Sequence, residues 1–171
     1  AASEKKFVVV AAPHTSNWDG VALLLLAESI GRPLSFMAKR ELFRGPGRLL
    51  RRFGAIPIDR QGAHDVVGQM VEEFRRRDEF VLVIPVEGTR SRAEYWKSGF
   101  YHIALGADVP VHLGYLDFAR KRGSFGPAIR LTGDVRADMD RIRAFYAAKA
   151  PTAFRPEDVG PIRLREEIAE A

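Results

Sequence analysis

The chain has 171 residues, of which 46% are hydrophobic and 29% charged, enough apolar side chain for one well-buried core and too little length for two comfortable domains. It carries no cysteine, which excludes disulfides, thiolate nucleophiles and cysteine-ligated metal. The formal net charge is +5, and 21 of the 27 basic residues are arginine, a side chain suited to bidentate recognition of phosphate and carboxylate.

Phe7 to Ala12 reads as a buried strand ended by Pro13. The polar stretch His14 to Asp19 follows, then an apolar helix over Gly20 to Ile30 that stops at Gly31-Arg-Pro33. Leu34 to Ala38 is a short strand. A basic helical segment, broken at Gly45-Pro46-Gly47, leads to Phe53, and Ala55 to Ile58 is another strand. From His64 to Arg77 the positions Val66, Val67, Met70, Val71 and Phe74 recur at helical spacing. Phe80 to Val86 is the clearest buried strand. A polar loop from Glu87 to Ser98 precedes a helix near Phe100 to Leu105; strands are expected at Val109 to Phe118 and Ala128 to Thr132, and a helix at Met139 to Ala148. The alternation predicts one α/β domain over residues 1–171, with a largely parallel central sheet flanked by helices.

No apolar run reaches the roughly 20 residues a bilayer crossing requires, and no signal peptide is recognisable at the N-terminus. Any membrane contact is expected to be peripheral. Between Arg40 and Phe53 five arginines face one glutamate, interleaved with Leu42, Phe43, Leu49, Leu50 and Phe53. Such a segment suits an anionic bilayer interface. It equally suits packing of its apolar side on the sheet.

Three polar clusters could carry chemistry. In His14-Thr-Ser-Asn-Trp-Asp19 the outer residues would diverge on a continuous helix of about 3.6 residues per turn. With His14 in the loop after the first strand and Asp19 in the opening turn of a helix, the carboxylate can fold back onto the imidazole. Thr15, Ser16 and Asn17 are all capable caps for that helix start. A histidine beside an orienting carboxylate is the base pair of acyl transfer. From spacing alone, a capped helix with a surface histidine fits equally well. No serine has the glycines of a nucleophile elbow, and no His-x-x-x-His suggests zinc. The base is therefore expected to act on a hydroxyl of a bound substrate, in direct transfer without a covalent intermediate. The second cluster, Glu87-Gly-Thr-Arg-Ser91, follows the strongest strand, where open α/β sheets bind ligands. The third is Gly54-Ala-Ile-Pro-Ile-Asp-Arg60, another strand running into a charged pair. His64, His102 and His112 read as structural, and Met37 and Met70 as core. Trp18 and Trp96 flank two of the clusters, to line a pocket or fill the core.

Taken in order, these segments resemble the glycerolipid acyltransferase family typified by bacterial 1-acylglycerol-3-phosphate acyltransferase. Its His-x4-Asp motif matches His14 and Asp19, its Gly-x4-Asp-Arg segment Gly54 to Arg60, its Glu-Gly-Thr-Arg motif Glu87 to Arg90, and its Val-Pro-Val step Val109 to Val111. Phe36 to Leu42 and Trp96 to Phe100 are also similar, and the likeness spans about residues 8 to 135. The residue before Glu87 is usually proline in the family; here it is Val86, with Pro85 one position earlier. Many members carry N-terminal membrane-embedded helices, whereas this sequence opens almost at the first strand. Membrane access is expected from elsewhere, or from residues outside it.

The resemblance implies an O-acyltransferase of phospholipid biosynthesis. His14 would deprotonate the acceptor hydroxyl, which attacks the thioester of acyl-CoA or acyl-carrier protein, while Asp19 holds the imidazole. Arg60 and Arg90, with Lys39, would hold the acceptor's phosphate or another anionic group; Lys97 is a further basic candidate. Glu87 and Gly88 would shape the pocket, with Gly54 and Thr89 in the same motifs. No cofactor or metal is implied. The expected partners are a lysolipid, the acyl donor and a membrane surface, on the cytoplasmic side. A lyso-aminolipid or glycolipid acceptor is the enzymatic alternative. A non-catalytic basic domain binding lipid or nucleic acid is the other, although the aromatic residues do not interleave with the basic runs as nucleic-acid stacking platforms do.

Overall fold

A computed structural model describes residues 4–16, 31, 33–58, 63–89 and 91–169, without the side chains of 63–65 and 169. The expected helix Gly20 to Ile30, with Asn17, Trp18 and Asp19 before it, lies outside the described residues, as do Asp59, Arg60 and Arg90.

The apolar runs form strands β1 (Lys6–Ala11), β2 (Leu34–Lys39), β3 (Ala55–Ile58), β4 (Phe80–Pro85) and β5 (Val111–Asp117), with β6 at Arg122–Ile129. They make one six-stranded sheet in the order β3-β2-β4-β1-β5-β6. The first five pair in parallel, and only β6 runs antiparallel, against β5. Parallel strands are buried on both faces, so they read as unbroken apolar runs instead of alternating ones. β1, with Val8, Val9 and Val10 fully buried between β4 and β5, is the plainest case.

Successive side chains leave a strand on opposite faces. One face carries Val8, Val10, Leu82, Ile84, Ile56 and Leu113. Against it pack helices α1 (Ala63–Arg76), α2 (Gly99–Ala107) and α3 (Val135–Lys149), through Met70 and Phe74, Phe100 and Ile103, and Met139 and Ile142. Burying each such side chain stabilises the fold by about 1.5–3 kcal/mol. The opposite face carries Phe7, Val9, Leu34, Val81 and Val83. At its β2–β3 end, Phe43 and Leu50 from the crossover segment pack on Phe36, Ala38 and Ala55. Met70 is core, as expected, whereas Met37 is only partly buried.

Three expectations need correction. The basic segment is not α-helical but two 3-10 stretches, Arg40–Phe43 and Gly45–Phe53. Gly45 has φ +56, and a Cβ on Gly47 would strike the Leu42 carbonyl, so the chain turns at the expected break and both sides of it wind as 3-10 instead of α-helix. The last strand starts at Arg122 instead of Ala128, because it is an edge strand, mostly exposed, with Pro127 tolerated on its rim. The third helix begins four residues early, at Val135, where the Asp134 carboxylate accepts the Ala137 N–H at 2.9 Å and caps it.

Beyond α3 the chain returns across the sheet's carboxyl edge. Trp96 N–H donates to the Arg163 carbonyl at 2.9 Å, Arg143 pairs with Glu167 at 2.8 Å, and Arg155 N–H donates to Thr15 Oγ1 at 3.1 Å. Among the described residues, no helix is long and apolar enough to cross a membrane.

Candidate active site

Because β1 and β4 are adjacent and parallel, with Ala11 opposite Pro85, the segments that follow them emerge side by side. His14 lies three residues beyond β1 and Glu87 two beyond β4. The His14 backbone N–H donates to Glu87 Oε1 at 3.2 Å, tying the first motif to the third. Glu87 is nearly buried, 6% exposed, and His14 half-buried. The bond uses the main chain of His14 and not its ring, so it fixes where the imidazole is carried. A buried carboxylate acceptor makes this a charge-assisted bond, stronger than a neutral one.

Gly88 supplies the turn after Glu87. Its φ of +67 is left-handed, and a Cβ there would meet the Lys97 stem at 3.0 Å. Lys97 is drawn in by its own N–H, which donates to the Val86 carbonyl at 2.7 Å. Val86, which replaces the family's usual proline, is fully buried in the core, while Pro85 takes a place in the cavity wall.

That cavity, of about 750 Å3, opens at the carboxyl edge of the sheet. His14, Thr89, Lys97 and Ser98 supply its polar lining. Met37, Ile58, Val66, Val67, Ile84 and Ile103 supply apolar wall from β2, β3, β4, α1 and α2. A mostly apolar cleft with a few converging polar groups, outside the carboxyl ends of parallel strands, is the usual form of a ligand site in such folds. The amino end of α2, at Ser98 and Gly99, faces the same space, and its partial positive charge adds to that of Lys97. The chemistry available is a histidine at the mouth of an apolar cleft, with cationic character beside it.

A second, smaller cavity of about 430 Å3 lies behind the His14–Glu87 link, lined by Pro13, Glu87, Trp96 and Tyr146 among others. Trp96 is 4% exposed and edge-on to Phe100 and Tyr146, so it both fills the core and lines this space. Burial, and then the nearby Glu87 charge, hold the Tyr146 phenol protonated well above its ordinary range. Its hydroxyl donates to the Gly114 carbonyl at 2.9 Å.

Of the residues singled out in the sequence, His14, Glu87, Gly88, Thr89 and Lys97 come together here. Lys39 stands exposed at the end of β2, beside but not in the cavity lining. Gly54 is at the other end of β3 from Ile58. Its φ is +83, and a Cβ would collide with the Leu34 carbonyl, so its job is conformational. Asp19, Arg60 and Arg90 lie outside the described residues. His102 and His112 are away from the cavity, with His112 held by the Gly126 carbonyl and Glu4. Thr15, expected as a helix cap, accepts the Arg155 N–H instead of serving only its own motif, while Tyr146 and the returning C-terminal segment carry no motif that marks them in the sequence.

A family model for acyltransferases matches residues 1–112, which include both loops of the site. Among curated proteins, no sequence matches. Among solved structures, the fold is similar to the crystal structure of the 1-acyl-sn-glycerophosphate (LPA) acyltransferase PlsC from Thermotoga maritima. The TM-score is 0.61 at 19% identity, covering 89% of this chain and 70% of that one. With the motif order, the mainly parallel sheet and the family match in agreement, the chain belongs to the acyltransferase family.

Proposed function

We propose that this acyltransferase moves an acyl group from a CoA or acyl-carrier-protein thioester to the hydroxyl of a lysophospholipid such as 1-acylglycerol-3-phosphate. His14 takes the hydroxyl proton as the oxygen attacks the thioester carbonyl, and returns it to the departing thiolate. Asp19 holds the imidazole and stabilises its cation. No acyl-enzyme forms, and no cofactor joins the two substrates. The acyl chain occupies the apolar cleft between α1, α2 and the strand ends, while Lys97, with Arg60, Arg90 and Lys39, meets the acceptor's anionic group. Both acyl donors are cytoplasmic thioesters, which places the work on the cytoplasmic side of a membrane.

The observation that carries this reading is the His14–Glu87 hydrogen bond. It puts the two most distinctive motifs at one mouth of a cleft with an apolar wall. Thiol release from an acyl thioester, measured with and without lysolipid, tests it. His14→Ala is expected to lose about 10²–10⁴-fold in turnover at unchanged melting temperature. Full turnover in that variant would overturn the mechanism. A panel offering a lysophospholipid, a lyso-aminolipid and a lyso-glycolipid identifies the acceptor by mass spectrometry, and product from the phosphate-free acceptors alone would remove the proposed role of the cations.

A further inference from the structure

We infer that residues 40–53 form a docking surface for an anionic lipid leaflet, beside the mouth of the active-site cleft. The segment buries only part of its apolar content. Phe43 and Leu50 turn in toward the sheet, but Leu42, Leu49 and Phe53 are each 55% exposed, half of the six large hydrophobic residues that stand out on the described surface. Around them Arg40, Arg44, Arg48, Arg51 and Arg52 are all exposed, with Glu41 the segment's one acid. Among the described residues, none of these five arginines is ion-paired to a carboxylate. Arg51 lies 5.8 Å from the Phe43 ring.

Exposed aliphatic side chains ringed by unneutralised arginine match a surface that is hydrocarbon a few ångströms below a layer of phosphate. Arginine stems can lie along the apolar zone with their heads at the phosphates. A nucleic acid would want aromatic stacking platforms, and the segment's only exposed aromatic is Phe53. The placement suits a lipid substrate as well. The segment leaves β2 at Lys39, two residues past Met37 in the cleft wall, so a leaflet touching Leu42 lies next to where a lysolipid would enter.

The test is co-sedimentation of the purified protein with vesicles of phosphatidylcholine, alone or mixed with phosphatidylglycerol. The protein is expected to prefer the mixed vesicles. Leu42→Ser with Leu49→Ser and Phe53→Ser should weaken binding on the order of 100-fold, given their half-exposed apolar area. Arg48→Glu with Arg52→Glu should weaken binding to mixed vesicles by roughly 25-fold or more, at about fivefold per arginine, and barely alter binding to phosphatidylcholine. Arg75→Glu with Arg76→Glu, on exposed residues at the end of α1, serves as the charge control and should stay near wild type. Absence of binding by the wild type, wild-type binding by the triple variant, equal weakening by the control, or tighter binding to a single-stranded oligonucleotide than to mixed vesicles would each overturn the inference. Thiol release with a monomeric short-chain lysolipid is run in parallel. It should persist in every variant, so failure of the docking surface and failure of acyl transfer give different results.

Discussion

Replacing Glu87 by alanine removes the nearly buried acceptor of the His14 N–H, a donor that is itself half-buried. A hydrogen bond to a charged acceptor contributes about 1.5–3 kcal/mol, and water at the cleft mouth can recover part of this for a half-buried donor. The expected loss of stability is therefore roughly 2 kcal/mol, read as a fall in the urea midpoint at unchanged slope. Activity should fall further than stability requires, because the lost bond sets the position of His14. A displacement of about 1 Å in a reacting group costs on the order of 100-fold in rate. Glu87→Gln keeps an oxygen within reach and loses only the charge assistance, about 1 kcal/mol, so its turnover should stay within about tenfold of wild type. Thiol release, assayed at a temperature where all three proteins are folded, gives kcat and KM separately. The reduction is expected in kcat. If Glu87→Ala lost its stability yet kept wild-type kcat, the link would be a packing feature and the positioning argument would be wrong.

Other perturbations bear on the scaffold. Gly54→Ala forces a left-handed φ of +83 on an L-residue and drives its Cβ into the Leu34 carbonyl, so a loss of about 2–5 kcal/mol is expected in urea unfolding. A loss below 1 kcal/mol would show that β3 can shift freely. Asp138 is fully buried and accepts from the Tyr101 hydroxyl and the Thr132 N–H, both at 2.8 Å. Asp138→Ala should cost about 3–5 kcal/mol in the same assay, and a nearly neutral result would contradict the assigned bonds. Hydrogen bonding from Arg120 holds the Asp117 carboxyl below its usual range, even against the cost of its burial. A lowered native pKa stabilises the fold above the unfolded value, about 3.9, and that contribution is lost as pH falls through the lower native value. The gap in urea midpoint between wild type and Asp117→Asn should thus narrow below pH ~4. A gap that stayed constant to the acid limit would refute the assignment.

The parallel strands were legible because burial on both faces leaves nothing polar in them. Val8 to Val10 and Phe80 to Ile84 are runs that only a central strand explains. The edges were less legible. β6 is mostly exposed and holds Gly123, Gly126 and Pro127 within its length, so its pattern resembles a polar loop. The start of α3 hid behind Asp138, whose charge reads as solvent-facing although it is a buried hydrogen-bond centre. For the site, spacing alone left His14 ambiguous, and the ordered motifs supplied what the spacing could not. The contact that joins His14 to Glu87 runs through a backbone N–H, and main-chain donors have no signature in a sequence. Gly54 illustrates the converse: its motif position suggested substrate binding, and its φ and the Leu34 carbonyl give it a backbone role.

The loop that carries His14 is closed by partners far along the chain, 73 residues away at Glu87 and 140 residues away between Thr15 and Arg155. Loop-closure entropy grows only logarithmically, so the step from the nearer to the farther partner adds just about 0.6 kcal/mol. The larger effect is on timing. Synthesis runs from the N-terminus, and His14 leaves the ribosome long before Glu87, and longer still before Arg155. Reactive geometry therefore arrives late, with the second of two distant closures. A growing chain halted short of Arg155 holds His14, the proposed general base, without the frame that positions it.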